Sequence, residues 1–268
     1  MPEIFGFDAY TPREIAARID SAGVAKARLP LRATFVLAML AGAFIGLGAL
    51  YSVVVRSDPT LGFAARQLLA GLSFALGLVL VIVAGAELFT GNNLLVMAWA
   101  DGRISGGELL RNWGIVLCGN LVGAVGLALL VTWSGHATLN GGAVAAEYVR
   151  IGHAKAALGP LHAVLLGVLC NALVCLAVWM AMAGRSVTDK VVAVIFPVSA
   201  FVAAGFEHSV ANLYLLPMAL LLQGPQGSLG LADVLGNLGP VLLGNFLGGS
   251  VLVGLVYHLV YHEAPPPG

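Results

Sequence analysis

The residues best placed to do chemistry in this sequence are a threonine and a histidine, each embedded in a long apolar stretch. Thr90 follows Gly85-Ala86-Glu87-Leu88-Phe89 and precedes Gly91-Asn92-Asn93, while His208 stands in Gly205-Phe206-Glu207-His208-Ser209 with Asn212 beyond it. Imidazole has an ordinary pKa of about 6.5, so His208 could donate a hydrogen bond or a proton to an anion. Thr90 would offer a hydroxyl. A pair of neutral donors suits an anion the size of a carboxylate or nitrite, because it binds the anion without trapping it as a fixed cation would. Each residue also has a plainer reading: His208 as a structural imidazole satisfied by carbonyls, Thr90 as a cap on a broken helix. For Glu87 and Glu207 the plainer reading leads, since an acid lining an anion's path repels it. With Asn92 and Asn212 they are expected to hold interrupted backbone in place, and Gly91 is expected to supply one break.

The elements that must carry these residues follow from composition. Hydrophobic residues make up 59% of the 268 and charged ones 10%, and the mean hydropathy is +0.95, far from soluble domains. A bilayer-spanning helix needs about 20 largely apolar residues, and such stretches fall near 31–55, 66–100, 113–133, 159–183, 190–221 and 236–261. The 35 glycines fit close helix contacts in a membrane. Polar groups at that depth are costly and mark functional sites by default, and broken backbone is tolerated there where it lines a cavity or is buried by protein.

The two polar clusters belong to an internal repeat. Gly85, Glu87 and Asn92 share the pattern G-x-E-x-x-x-x-N with Gly205, Glu207 and Asn212, and Gly119-Asn120-Leu121-Val122-Gly123 is echoed by Gly244-Asn245-Phe246-Leu247-Gly248. Three spans per half force the second half to enter the membrane from the opposite side, so the halves are inverted repeats whose interrupted second and fifth helices should meet near the midplane.

Around this 31–261 membrane domain the remaining signals are simpler. Thr11-Pro12-Arg13-Glu14 reads as a capping box with proline at the first helical position, predicting a basic amphipathic helix within residues 1–30; it could dock on the membrane surface or plug a channel mouth. The opening thirty residues carry no uninterrupted apolar run of the signal-peptide kind. Arg13, Arg18, Lys26, Arg28, Arg32, Arg103, Arg111, Arg185 and Lys190 fall on one side, against Arg56, Arg66, Arg150 and Lys155 on the other, which predicts cytoplasmic termini. Residues 262–268, rich in proline, read as a disordered tail. Cys118, Cys170 and Cys175 read as small core hydrophobes. Zero net formal charge gives no reason to expect a nucleic-acid partner, and no cofactor is expected.

Other classes fare poorly. A haem site using His162, His208 and His258 would need partners at matching depth, and no G-x-S-x-G elbow is present for a serine hydrolase. His136, His153 and His262 are placed in loops or at the C-terminal end without a role.

Ala86-Glu87-Leu88-Phe89-Thr90, the run Cys170-Asn171-Ala172-Leu173-Val174-Cys175-Leu176-Ala177-Val178-Trp179-Met180, and Gly205-Phe206-Glu207-His208-Ser209-Val210-Ala211-Asn212 resemble the signatures of the formate/nitrite transporter family. The likeness runs from about residue 25 to 261. It implies an all-α, aquaporin-like protomer of six transmembrane helices in an inner membrane, assembled as a homopentamer with a pore in each protomer. By position, His208 and Thr90 match the family's central histidine and mobile-loop threonine. Leu78, Phe74 and Phe201 match apolar constrictions, Lys155 a basic residue of the outer vestibule that draws anions in, and Asn171 an asparagine beside the pore. A transporter of small anions, not an enzyme, is implied. Gly184-Arg185-Ser186, Asp189-Lys190 and Phe206-Glu207-His208 look like formate-type members, whereas Gly91 after Thr90 looks like nitrite-type ones. Formate is the expected substrate, nitrite the alternative and hydrosulfide a lesser one.

Overall fold

The computed structural model describes residues 9–261, so the tail expected at 262–268, with His262, lies outside the described residues. Among these residues every regular element is helical: α1 Pro12–Ala27, α2 Leu31–Arg56, α3 Phe63–Leu80 continued by a π turn Val81–Gly85, α4 Phe89–Asn92, α5 Val96–Ala100, α6 Gly106–Trp133, α7 Ala143–Ala156, α8 Pro160–Ala183, α9 Val187–Ala203, α10 Ser209–Leu222, α11 Leu231–Phe246, and, after a π segment Leu247–Leu255, α12 Val256–Tyr261. Three helices begin at capping boxes legible in the sequence: Thr11 with Glu14, Ser105 with Glu108, and Ser186 with Asp189. The Ser105 box starts α6 at Gly106 rather than near 113, because capping lets a polar first turn extend the apolar span.

Among the described residues, five helical stretches are long and apolar enough to cross a membrane: Leu31–Arg56, Phe63–Gly85, Gly106–Trp133, Pro160–Ala183 and Leu231–Tyr261. The remaining crossing is shared between α9 and the 14-residue α10, which at about 1.5 Å per residue is too short to span the hydrocarbon alone. This is the aquaporin-like arrangement of six crossings with the second and fifth broken.

The break in the second crossing is not where the sequence reading put it. Gly91 lies inside α4, where a Cβ would make only an ordinary contact with Val178. The chain leaves the helix at Gly85, whose φ of +81° is left-handed, and runs extended through Ala86 and Leu88. Gly205, at φ +74°, does the same in the fifth crossing. The left-handed region is open to glycine at little cost and resisted by other residues, so the helix stops at the glycine before each glutamate.

Hydrogen bonding makes the inverted repeat explicit, and it extends further than three spans per half. Asn112 Nδ2 donates to the Lys26 carbonyl at 3.2 Å, and Asn237 Nδ2 to the Lys155 carbonyl at 3.1 Å. Glu87 N–H donates to the Leu37 carbonyl and Glu207 N–H to the Leu166 carbonyl. Lys26 closes α1 and Lys155 closes α7, so α7 is the counterpart of the N-terminal helix, and a boundary at residue 30 cuts through the first repeat. α7 occupies a stretch read as loop in the sequence, where His153 and Lys155 were placed. α1 lies against α5, α8 and α12, with Ile15 and Ile19 buried beside Met97 and Trp179.

Close helix crossings hold the halves together. A Cβ on Gly123 would run into the Met39 carbonyl of α2, and one on Gly248 into the Val168 carbonyl of α8. Gly123→Ala is therefore expected to push α6 off α2 at a cost of about 1–3 kcal/mol. Thermal unfolding in detergent checks this, and an unchanged melting temperature would show that the two helices separate freely.

Candidate functional site

The site is built on two asparagines. Asn120, fully buried on α6, accepts from Phe89 N–H at 2.9 Å and donates to the carbonyls of Ala38 at 2.8 Å and Glu87 at 2.9 Å. Asn245, fully buried on α11, accepts from Ser209 N–H at 2.8 Å and donates to the carbonyls of Gly167 at 2.8 Å and Glu207 at 2.9 Å. Each side chain therefore satisfies the orphan backbone groups that a helix break leaves.

The glutamates beside the breaks sit in matching polar clusters. Glu87 receives Lys26 Nζ at 2.7 Å and Asn92 Nδ2 at 2.6 Å, and Asn92 also donates to Asn112 at 3.0 Å. Glu207 receives Lys155 Nζ at 2.7 Å and Asn212 Nδ2 at 2.7 Å, and Asn212 also donates to Asn237 at 2.7 Å. Both carboxylates are buried, so an ammonium partner with further hydrogen bonds is what makes their charge tolerable there. The two asparagines after the glutamates thus meet their acids. Lys26, Asn112 and Asn237 escaped the sequence reading as members of the site. A signal for the asparagines existed: Asn112 and Asn237 stand at the same distance before Asn120 and Asn245.

Where the two breaks approach each other the repeat ceases to be symmetric. Thr90 Oγ1 and His208 Nε2 are 3.0 Å apart, both buried. His208 also caps α10, its Nδ1 accepting from Ala211 N–H at 3.0 Å. A nitrogen that accepts cannot carry the proton of a neutral ring, so the cap assigns the proton to Nε2, facing Thr90. The Thr90 hydroxyl then accepts from the ring and keeps its own hydrogen to donate elsewhere. Asn171 Nδ2 lies 3.3 Å from the Thr90 carbonyl, 2.9 Å from Asn93 Oδ1 and 2.7 Å from the Asn245 carbonyl, tying the two breaks to α8.

Two cavities flank this centre. One of about 290 Å³ is lined by Phe74, Phe201, His208, Lys155, Glu207 and Asn212. The other, of about 350 Å³, is lined by Leu78, Glu87, Leu88, Gly91, Asn92 and Lys26. Phe201 stacks on His208 with centroids 5.8 Å apart, and Phe74 meets Phe201 edge-on at 5.7 Å. Phe74, Phe201 and Leu78 are buried, and Thr90 and Asn171 are fully buried and line neither cavity. The arrangement is two polar-ended vestibules, a greasy layer, and two uncharged hydrogen-bond donors within that layer.

Comparison with known proteins agrees with this architecture. The model of the formate/nitrite transporter family matches residues 13–259. The formate channel FocA of Escherichia coli (strain K12) is 39% identical over 273 residues, covering 95% of either chain. The formate channel FocB of the same strain is 37% identical over 275 residues, covering 94% of each. A solved structure of a pentameric formate channel with formate bound superposes with a TM-score of 0.81 at 38% identity, covering 87% of this chain and 98% of that one. Another, of an FNT family ion channel, gives 0.84 at 34% identity, covering 92% and 98%. With its matched helix breaks and a family model that spans nearly all of its length, this multi-pass membrane chain belongs to the formate/nitrite transporter family.

Proposed function

We propose that the protein passes small monovalent anions, formate foremost, through a pore in each protomer of a homopentamer in an inner membrane, with both termini cytoplasmic. The observation that carries this reading is the 3.0 Å contact between Thr90 Oγ1 and His208 Nε2 in an apolar layer between two vestibules. Similarity to formate channels, one of them solved as a pentamer, supports the substrate and the assembly. The placement of Arg13, Arg18 and Lys26 on α1, on the Lys26 side of the molecule, supports that side as cytoplasmic.

On this reading an anion enters the vestibule that holds Lys155, loses water at Phe74 and Phe201, and takes a hydrogen bond from the Thr90 hydroxyl and, as the Thr90–His208 contact opens, from His208 Nε2–H. It leaves past Leu78 toward Lys26. Dehydration is the main barrier, since burying an unpaired charge is costly. Two neutral donors lower that barrier without forming a trap, and a weak acid that takes up a proton in transit would cross the greasy layer as a neutral molecule. Glu87 and Glu207 act as scaffolding whose charge Lys26 and Lys155 balance.

Anion flux into proteoliposomes tests the reading, with formate, nitrite and hydrosulfide compared at about pH 5 and about pH 7.5. Formate is expected to move fastest. Nitrite leading would promote the reading in which Gly91, on the wall of the Lys26 vestibule, is the better substrate clue. No flux of any of the three would refute transport itself.

A further inference from the structure

We infer that Arg56, flanked by Arg150, is an anion-gathering site at the mouth of the Lys155 vestibule, taking small monovalent carboxylates or oxoanions before they reach the central layer. This deepens the transport reading above and rests on it. Among the charged residues lining that vestibule are Arg56, Arg150, Lys155 and Glu207. Lys155 and Glu207 are 2.7 Å apart and cancel as a pair. Arg150 gives both Nε and Nη2 to Glu147 at 2.7 Å, so its charge is matched as well.

Arg56 is different. Its hydrogen bonds run to neutral acceptors, Nη1 to Gln67 Oε1 at 2.7 Å and Nη2 to the Val202 carbonyl at 3.2 Å, and among the described residues no carboxylate lies within ion-pairing distance of it. Gln67 in turn donates to the Ala203 carbonyl at 2.7 Å. The guanidinium is half-buried and held against the last turn of α9, just before the break at Gly205. The vestibule thus carries a guanidinium that no carboxylate pairs directly, in a cleft with apolar walls, where field lines are focused and anions concentrate. A planar guanidinium also matches a carboxylate edge better than an ammonium does.

The opposite vestibule lacks this feature. Its lining cation Lys26 is 2.7 Å from its lining acid Glu87. Arg185, which follows α8 as Arg56 closes α2, lies 4.5 Å from the centroid of the Tyr10 ring and does not line that cavity. Among the described residues, a lining cation without a carboxylate partner is therefore found in one vestibule and not the other, while the lysine and glutamate pairs are common to both.

The test is initial formate uptake against concentration in proteoliposomes at about 10 mM and about 300 mM salt, where screening is weak and strong respectively. Arg56→Gln is expected to raise KM about three- to tenfold at low salt while lowering the maximal rate far less. Arg56→Lys should restore most of the loss, because it returns the charge without the fork. Glu147→Gln should shift KM the other way, since it releases the Arg150 charge into the same vestibule. All three differences should shrink at high salt. Unchanged KM in both Arg56→Gln and Glu147→Gln at low salt would overturn the inference. Should Arg56→Gln fail to assemble, a Glu147→Gln protein with the parent's KM overturns it alone. Parent protein that moves formate while its variants do not shift KM refutes this site only, whereas a parent that moves no anion refutes the transport reading and this site with it.

Discussion

His208→Ala is expected to lower formate uptake at about pH 7.5 by roughly tenfold to a hundredfold and to flatten the response between that pH and about pH 5, after subtraction of protein-free vesicles. The magnitude follows from a hydrogen bond to a charged group, worth about 1.5–3 kcal/mol, lost at the point where the anion has least water. The flattening follows because the His208 ring is the one central side chain able to pass a proton to a weak acid in transit. The variant also removes the acceptor that caps Ala211 N–H, so part of the loss would come from a slackened α10. His208→Asn separates the two contributions. Its amide restores an uncharged donor but cannot titrate, so it should recover much of the flux at neutral pH and none of the pH response. Wild-type flux and pH profile in His208→Ala would remove the central role of the imidazole, and a pH response retained by His208→Asn would place the titrating group elsewhere.

The second large effect is structural. Asn245→Ala removes one acceptor and two donors from the buried centre, stranding Ser209 N–H and the carbonyls of Gly167 and Glu207. Each orphaned buried group costs about 1–3 kcal/mol, and water from the neighbouring vestibule can relieve some of them, which leaves about 3–6 kcal/mol. At about 2–4 °C per kcal/mol for a chain of this size, the melting temperature in detergent should fall by about 6–24 °C. Asn120→Ala should behave alike, because Asn120 makes the matching bonds to Phe89, Ala38 and Glu87. A melting temperature within about 1 °C of the parent for either variant would show that the breaks hold without these side chains. Since the Asn245 carbonyl also receives Asn171 Nδ2 at 2.7 Å, loosening α11 should also reach the wall behind Thr90.

These two experiments probe different layers of one device. The asparagines, the glutamates and their lysines repeat across the two halves and set where the chain may stop being helical. His208 and Thr90 do not repeat, and the functional proposal rests on them. A symmetric scaffold with an asymmetric centre explains why polar residues at the breaks were found together yet divide into structural and candidate substrate-facing groups.

Sequence alone determined the number of crossings, the inverted relation of the halves and the identity of the interrupted helices. Those features are written in local hydropathy and in short repeated motifs around Glu87 and Glu207, and each needs only neighbouring residues to be read. Tertiary structure decided the rest. Gly85 and Gly91 are equally able to break a helix on paper, and only the backbone path, with the left-handed turn at Gly85 and Asn120 waiting for Phe89 N–H, selects between them. Lys26 looked like one more surface cation of an amphipathic helix until folding placed it 2.7 Å from a glutamate 61 positions away. The state of His208 was likewise beyond the sequence, because the proton's place on the ring is chosen by an N–H three residues on that reaches Nδ1 only in the folded chain. Hydropathy and repeats are properties of segments, whereas ion pairs, tautomers and cations without a carboxylate partner such as Arg56 are properties of what segments meet.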